Sequence, residues 1–307
     1  MPASAVDHVL DALGVGRRRL TVLKNLPLQN ASWLVERPNG EPVVLRRYHQ
    51  AATADDLAYE HQVLRYLAES DARWVVPVPV SDLIRCDDFW YCLTRYVPGQ
   101  PVAPENTAQQ RRRGADLARL HLALCGLGDR IGQRPGWLAQ HQGVTLHTDV
   151  DWPTFVRALC EASPRLGAWA LAAEEHTKSA LVAIGAGNLP VTVVHGDFAE
   201  WNVHYKDDYL AGVIDFGLTH LDSRPYELAL ARTYRAPHAI EAYRSAMAAH
   251  QWPLSDLEEA AIAPVYHAFR LDQVGWLLHD SPDPGHYDLA AVERHLARTG
   301  TPPPPNR

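Results

Sequence analysis

The sequence has few cysteines and no long apolar segment, and each shortage excludes a class of protein. The four cysteines among 307 residues form no C-x-x-C pair, which excludes the usual structural zinc sites. Few cysteines fit a reducing compartment, and the first residues lack the pattern of a secretory signal, so we expect a cytoplasmic protein. Charges or prolines interrupt every apolar stretch before about 18 residues, so we expect no membrane span.

Positive charge is also scarce. The net charge is -7, and -6 of it belongs to residues 100–307. A protein that binds nucleic acid non-specifically normally carries excess positive charge, so we expect no nucleic-acid partner. The only lysines are Lys24, Lys178 and Lys206, so most cationic sites must use arginine. A hydrophobic content of 47% is typical of a globular chain and excludes global disorder.

The hydrophobic pattern divides the chain into a strand-rich part and a helical part. Residues 1–97 contain short apolar strands around one helix, and the Pro98-Gly99 break follows them. Residues 98–300 are mostly helical, and residues 301–307, TPPPPNR, are typical of a disordered tail. We therefore predict an α+β, two-lobed fold with a small β-rich N-lobe and a larger helical C-lobe.

The helical part has two features that can be compared directly with a structure. Helical periodicity predicts helices near residues 153–161 and 165–184. Prolines, among them Pro264, predict breaks between later helices, because proline has no N–H to donate within a helix.

The segment His195–Gly217 carries residues suited to catalysis. It contains HGDFAEWN and then VIDFG, so Asp197, Asn202 and Asp215 flank short apolar strands. One carboxylate can accept or orient the proton of an attacking hydroxyl, while a second carboxylate and an amide oxygen can hold Mg²⁺ against nucleotide phosphates. Each residue alone is typical of a turn. The three together at this spacing indicate phosphoryl transfer.

HGDFAEWN followed by VIDFG resembles the motifs of the aminoglycoside phosphotransferase and choline kinase superfamily, which has a protein-kinase-like fold. The resemblance extends from about residue 20 to about residue 280. It implies that Asp197 is the catalytic base, that Asn202 and Asp215 are metal ligands, and that His195 shapes the loop. It also implies Mg²⁺, ATP with GTP as the alternative, and a small-molecule hydroxyl as the acceptor.

The same resemblance assigns residues of the strand-rich part to the nucleotide. In VVLRRYHQ, Arg46 stands where protein kinases have a lysine, and Arg47 is the alternative if the register slips by one residue. Glu60 stands where the family has a helix glutamate that pairs with this cation. The alternative is that Glu60 is a surface residue that forms ordinary pairs along its helix. The flap at residues 25–32 has no G-x-G-x-x-G, so Ser32 is the candidate donor to a phosphate.

The segment LTRYVPG resembles the hinge between the two lobes of this fold. There the backbone of Arg95, Tyr96 and Val97 would bind the nucleotide base; the alternative is an edge strand that ends at Pro98. No G-x-x-x-x-G-K-[ST] occurs, which excludes a P-loop kinase. No A-P-E segment follows Asp215, which disfavours a kinase of protein substrates.

No motif specifies the acceptor. In this fold the acceptor lies on the large lobe, where the candidate lining residues are Glu200, Trp201, Asp222, Glu227, Tyr266, Arg270, Asp272 and Trp276. Glu227 stands where an aspartate is commoner, and anchoring its own helix is the alternative role. The acidic excess of residues 100–307 suits a cationic acceptor, and equally an ordinary soluble surface. We expect an aminoglycoside-like or other antibiotic as the acceptor.

Two other functions stay open at this point. The first is a metabolic kinase of homoserine, choline or a sugar; homoserine would need a cation for its carboxylate, for instance Arg224, Arg232 or Arg270. The second is a nucleotide-binding pseudokinase, which the atypical flap favours and the intact set of three motif residues opposes. We expect a monomer or a homodimer.

Overall fold

The computed structural model describes residues 3–16, 18–25, 30–38, 40–50, 52–70, 74–132, 134, 152–233, 236–279 and 284–303. Its contacts divide the chain into two compact units. The first unit comprises Met1–Ala103 and Glu200–Thr219, and the second comprises Pro104–Ala199 and His220–Arg307. No helix in the described part of the chain is long and apolar enough to span a membrane.

A five-stranded antiparallel sheet forms the centre of the first unit. Its strands lie in the order β1-β2-β3-β5-β4 and are β1 (Arg19–Asn25), β2 (Ala31–Glu36), β3 (Val43–Arg47), β4 (Ile84–Cys86) and β5 (Phe89–Arg95). Helix α1 (Ala3–Ala12) covers one face, where Leu10 packs in a core that also contains Trp33, Leu45 and Tyr91. Alternate residues of each strand therefore point into this core.

Helix α2 (Ala54–Glu69) lies on the other side of β3. Thr53 and Asp56 form a capping box at its start, in which each side chain accepts the other residue's backbone N–H. Leu57 packs with Tyr48 and Cys92 in a second, smaller core. Because side chains alternate along β3, Leu45 faces α1 and Arg46 points toward α2.

A second sheet explains why the first unit includes residues 200–219. Strand β6 (Gln100–Pro101) pairs with β8 (Val203–Lys206), and β8 pairs with β9 (Tyr209–Val213). The sequence prediction had placed the lobe boundary after residue 97 and the whole of residues 98–300 in the C-lobe. In the structure the first unit instead extends to Ala103 and also includes Glu200–Thr219. The β8–β9 hairpin pairs with β6, which places it in the first unit.

The second unit is mostly helical around a short pair of antiparallel strands. The strands are β7 (Thr192–Val194) and β10 (His220–Asp222). The helices are α3 (Thr107–Leu124), α4 (Trp152–Ala162), α5 (Pro164–Ala183), α6 (Arg224–Thr233), α7 (Pro237–Ala249), α8 (Asp256–His279) and α9 (Leu289–Leu296). One core joins α4, α5, α8 and α9, and another joins α6 to α8.

The helices of the second unit match the predicted ones except at Pro264. The two helices predicted at 153–161 and 165–184 are α4 and α5. Helix α8, however, continues through Pro264, where a break was predicted. A proline inside a helix costs about 3 kcal/mol. The neighbouring Val265 and Ala268 are buried against α6, and this packing offsets the cost.

Parts of two predicted segments lie outside the described residues. They are residues 26–29 of the flap and residues 304–307 of the tail. The tail prediction began at residue 301, but the Thr301 carbonyl accepts a hydrogen bond from Trp169 Nε1 over 2.9 Å. This contact fixes the start of the predicted tail on α5.

Candidate active site

Arg46 lies at the centre of the charged residues in the first unit. Its Nη1 donates to Glu60 Oε1 over 2.8 Å, and its Nη2 donates to Asp215 Oδ1, also over 2.8 Å. Only 6% of Arg46 is exposed. Burial by itself would lower the pKa of Arg46, but the charges of Glu60 and Asp215 more than offset this and raise it. The guanidinium is therefore a permanent, buried cation with two carboxylate partners.

The strand register distinguishes Arg46 from Arg47. In β3 the two side chains point to opposite faces of the sheet, since successive residues alternate. Arg47 lies on the side of the α1 core, with its guanidinium carbon 4.4 Å from the centre of the Phe89 ring. Arg46 is thus the arginine that contacts Glu60 and Asp215, and its role toward a nucleotide stays a prediction.

A hairpin brings Asn202 and Asp215 together within the first unit. Asn202 directly precedes β8, and Asp215 follows β9 by two residues. The strands pair through Val203 and Val213, and the Asn202 carbonyl accepts the N–H of Ile214 over 2.9 Å. The two predicted metal ligands therefore lie at the same end of one hairpin, and both can offer oxygen atoms, which Mg²⁺ prefers.

The backbone around Asp215 is adapted to this position. Asp215 has a φ of +63°, in the left-handed region that only a few per cent of non-glycine residues adopt. Such conformations cost about 1–3 kcal/mol and cluster at functional sites. Gly217 follows, and a Cβ there would lie 3.1 Å from Arg46 Nη2 and 3.7 Å from Asp215 Oδ1. A side chain at residue 217 would therefore crowd the ion pair.

Ser32 and the hinge residues occupy less specific positions. Ser32 lies in β2 directly opposite Arg46 of β3, so both side chains are on the same face of the sheet. At the predicted hinge, the Arg95 N–H donates to the Val78 carbonyl over 2.9 Å. That donor is engaged within the unit, and the contact of the Arg95, Tyr96 and Val97 backbone with the nucleotide base stays a prediction.

The loop that carries Asp197 belongs to the second unit and follows β7. Gly196 has a φ of +88°, which residues with a side chain rarely adopt. The Asp197 N–H donates to Nδ1 of the fully buried His195 over 3.1 Å. Arg113 of α3 donates to the Phe198 carbonyl over 2.9 Å. These contacts shape the loop and leave the Asp197 residue half-buried.

Glu227 holds the same loop through its backbone. The Glu227 Oε2 accepts the N–H of His195 over 3.1 Å, and its Oε1 accepts the N–H of Gly196 over 2.8 Å. Nε2 of His121 lies 3.3 Å from the Glu227 Oε2. The sequence analysis had placed Glu227 in the acceptor pocket. The structure gives it another place, because its buried carboxylate is bound to the loop backbone.

Glu227 stays ionised although it is fully buried. Burial by itself would raise the pKa of Glu227, but the hydrogen bond from His121 and the interactions with His195 more than offset this and lower it. Nδ1 of His121 in turn lies 2.9 Å from the hydroxyl of Tyr243 on α7. A buried network therefore connects α3, α6 and α7 to the loop that carries Asp197.

Burial and nearby negative charge determine the pKa of Tyr226 in the second unit. Burial, followed by the charges of Asp222, Asp272, Glu227 and Asp197, raises the pKa of Tyr226 well above its usual range. Tyr226 therefore stays neutral. Glu227 is bound to the loop, and the fully buried Asp222 accepts the Ser223 N–H over 2.6 Å and lies 3.3 Å from His220 Nε2. The half-buried Asp197 is therefore the carboxylate of this region that suits a cationic group.

The arginines proposed to bind a substrate carboxylate differ in the contacts that they form. Arg224 is buried, forms two hydrogen bonds with Glu258 at 2.7 and 2.6 Å, and also donates to the carbonyls of Trp252 and Pro253. Its donors are thus committed to the fold. Arg270 of α8 is also buried, at 4% exposed, and lies beside Tyr266 with its Nη1 3.4 Å from His295 Nδ1. The side chain of Arg232 lies outside the described residues.

The other predicted acceptor residues differ in exposure. Trp201 is 48% exposed, whereas Glu200 is buried in the same short 3₁₀ turn of the first unit. Tyr266 and Trp276, both on α8, are half-buried. Among these residues, Trp201 therefore offers the most accessible aromatic surface.

Three residues of the site were missed by sequence reasoning. Tyr48 is two residues after Arg46, so the alternation of β3 could have placed it on the same face. Gly217 belongs to the VIDFG motif but was given no role. His121 lies 106 residues from Glu227 in the chain, and no local pattern connects them.

Two solved structures of small-molecule kinases have the same fold. Amicoumacin kinase hAmiN, in complex with AMP-PNP, Ca²⁺ and Ami, superposes with a TM-score of 0.69 at 17% identity, over 95% of this chain and 92% of that chain. The GDP complex of aminoglycoside 2'-phosphotransferase-IIIa superposes with a TM-score of 0.64 at 16% identity, over 95% and 97% of the two chains. These likenesses confirm the predicted protein-kinase-like α+β fold.

Curated relatives at higher identity are homoserine kinases. The homoserine kinase of Phenylobacterium zucineum (strain HLK1) is 26% identical over 265 residues, which cover 82% of this chain and 77% of that protein. The homoserine kinase of Rhodospirillum rubrum is 28% identical over 270 residues, 82% of this chain and 78% of that protein.

A family comparison covers most of the chain. The phosphotransferase enzyme family, APH, matches residues 26–263, which include every motif residue discussed above. This span is well over half of the 307 residues. The resemblance seen in the motifs is confirmed, and this chain belongs to the phosphotransferase enzyme family.

Proposed function

We propose that this protein transfers the γ-phosphoryl group of ATP, with Mg²⁺, to the hydroxyl of a small amino alcohol, and that homoserine is the first acceptor to test. The observation that carries the reaction type is the arrangement of Arg46 between Glu60 and Asp215, with 2.8 Å hydrogen bonds to both. Phosphoryl transfer depends on placing fixed charges around the phosphates, and this arrangement supplies a fixed cation beside a metal-binding carboxylate.

The donors present fit the proposed Mg²⁺. Asn202 and Asp215 offer hard oxygen atoms at one end of the β8–β9 hairpin. The described residues contain no group of three or more His, Cys, Asp or Glu side chains able to hold a metal. Mg²⁺ commonly uses one or two protein ligands and completes its shell with phosphate oxygens and water, so two protein donors suit it.

The chemistry divides between the two motifs. When bound, the nucleotide supplies the γ-phosphoryl group and Mg²⁺ neutralises charge on the phosphates. Asp197 accepts the proton of the acceptor hydroxyl as that oxygen bonds to phosphorus and the bond to the nucleotide's β-phosphate oxygen breaks. Glu227 keeps the Asp197 loop in place through the N–H groups of His195 and Gly196.

The negative charge of residues 100–307 supports a cationic acceptor. The half-buried carboxylate of Asp197 suits an ammonium group. An ammonium group beside a hydroxyl is common to homoserine and to amino sugars. The curated homoserine kinases, at 26% and 28% identity, favour homoserine. Arg270 is the candidate partner for its carboxylate, and binding requires this buried arginine to exchange its contact with His295 for the substrate.

A second candidate acceptor is an aminoglycoside. Its support is the half-exposed Trp201, which can stack on a sugar ring. One structural neighbour named above is an aminoglycoside 2'-phosphotransferase, at an identity that indicates the fold only. The two candidates differ chemically in one useful way, because homoserine carries a carboxylate and an aminoglycoside such as kanamycin does not.

The test is a turnover assay with product detection by ³¹P NMR. Homoserine, choline, a hexose and kanamycin are each supplied with ATP or GTP, with and without Mg²⁺. We expect a nucleotide- and Mg²⁺-dependent phosphate ester with homoserine, and we expect Arg270→Met to raise the KM for homoserine. Product with kanamycin alone, unaffected by Arg270→Met, would support the second candidate. Nucleotide binding without any product would indicate a pseudokinase.

A further inference from the structure

Tyr48 occupies a fixed position next to Arg46. It directly follows β3, and its N–H donates to the Trp90 carbonyl over 2.9 Å, which extends the pairing of β3 with β5. The residue is only 2% exposed. Because both its backbone and its surroundings are fixed, the Tyr48 ring has little freedom to move.

The ring of Tyr48 is a third partner of the Arg46 guanidinium. The Arg46 guanidinium carbon lies 4.9 Å from the centre of the ring. The face of an aromatic ring attracts a cation, and the attraction is stronger where both groups are removed from water. Glu60 and Asp215 bind the ends of the guanidinium, while Tyr48 contacts it from another side.

Helix α2 also fixes the ring. The Tyr48 hydroxyl lies 2.9 Å from Nε2 of the buried His61, which is the residue after Glu60. Burial, followed by the charges of Arg65 and Arg46, lowers the pKa of His61 to about 4. Burial raises the pKa of Tyr48. Both groups are therefore neutral at neutral pH, and one hydrogen bond joins them.

We propose that Tyr48 is a positioning residue for Arg46, whose ring, held by His61, fixes the guanidinium so that its two ends reach Glu60 and Asp215. This inference rests on the proposed function, in which Arg46 acts on a nucleotide phosphate. An arginine has a planar group that can stack on a ring and bind at two edges, whereas a lysine is a point charge. The Tyr48 ring therefore suits an arginine at residue 46 better than a lysine.

Nucleotide binding and turnover are measured separately on three variants. Tyr48→Leu removes the ring, Tyr48→Phe keeps the ring and removes the bond to His61, and Phe89→Leu removes the corresponding ring from Arg47. We expect Tyr48→Leu to raise both the Kd and the KM for ATP by roughly tenfold, the scale of a desolvated cation–π contact. Tyr48→Phe should retain most of the affinity, and Phe89→Leu should leave it unchanged.

The dependence on arginine is tested with Arg46→Lys. In that background, Tyr48→Leu should change the Kd for ATP much less than in the wild type, because the guanidinium that lies over the ring is gone. Equal effects in both backgrounds, or equal Kd values for Tyr48→Leu and Phe89→Leu, would overturn the positioning role. If Tyr48→Leu does not fold by circular dichroism, Tyr48→Met keeps much of the volume without a ring and should show the same loss. Failure of the wild type to bind nucleotide would instead overturn the proposed function.

Discussion

Arg46 and Asp215 are 169 residues apart in the chain, and Arg46 Nη2 donates to Asp215 Oδ1 over 2.8 Å. The contact joins the third strand of the main sheet to the end of the β8–β9 hairpin, both within the first unit. The pair is only partly buried, since the Asp215 side chain is 33% exposed, and such a pair adds little net stability because solvent screens the attraction. Under the proposed function, the pair arranges a cation and a carboxylate for phosphate and metal.

The first prediction compares the two neighbouring arginines. Arg46→Ala should weaken ATP binding far more than Arg47→Ala, because only Arg46 contacts Glu60 and Asp215. Titration calorimetry with ATP measures both affinities, and thermal unfolding controls for the loss of Arg47 packing on Phe89. A larger loss of affinity at Arg47 would show that the opposite face of β3 binds the nucleotide.

The second prediction concerns Asp215. Asp215→Asn should abolish Mg²⁺-dependent turnover, because the amide carries no charge for the metal. The fold should persist, since Arg46 keeps its ion pair with the buried Glu60. Turnover is measured over a range of Mg²⁺ concentrations beside a thermal unfolding curve. Near-native turnover at low Mg²⁺ would remove Asp215 from the metal site.

The third prediction concerns the support of the catalytic loop. Glu227→Gln should destabilise the protein by about 1–3 kcal/mol and lower kcat, because one loop N–H then faces an amide NH₂ instead of a carboxylate. The KM for ATP should change little, since the Glu227 carboxylate binds the loop backbone and His121. Glu241→Gln, at a largely exposed position on α7, is the control. A change in the KM for ATP with unchanged kcat would contradict the loop-anchoring role.

The fourth prediction is a pH dependence of stability. The pKa of His61 is about 4 in the folded protein and 6.5 ordinarily, so between these values the unfolded chain binds the proton and the folded protein does not. The contribution is complete above pH 6.5 and is lost as the pH falls toward 4. Urea unfolding at pH 7.5 and pH 5 should show a loss of about 1–2 kcal/mol from this residue. In His61→Gln the free energy of unfolding should fall by a correspondingly smaller amount between pH 7.5 and pH 5. A fall as large as in the wild type would contradict a neutral buried histidine.

Local patterns predicted the fold and the motif positions, and long-range packing supplied the rest. The alternation of VVLRRYHQ and the spacing within HGDFAEWN are local features, so Arg46 and the motif aspartates could be chosen from sequence. The role of Glu227 could not, because its partners His195 and His121 are brought to it only by the packing of α6 beside β7 and α3. Pro264 shows the same limit, since the packing that tolerates it is tertiary.

The central claim is phosphoryl transfer to a hydroxyl with Asp197 as the base, and Asp197→Asn tests it most directly. The variant keeps the shape of the side chain and removes the charge that accepts the proton. With ATP, Mg²⁺ and the acceptor identified by ³¹P NMR, kcat should fall by about a hundredfold or more, the usual scale of a lost general base. The Kd for ATP, measured by calorimetry on the same sample, should stay unchanged. Full activity of Asp197→Asn at every substrate concentration would contradict the account.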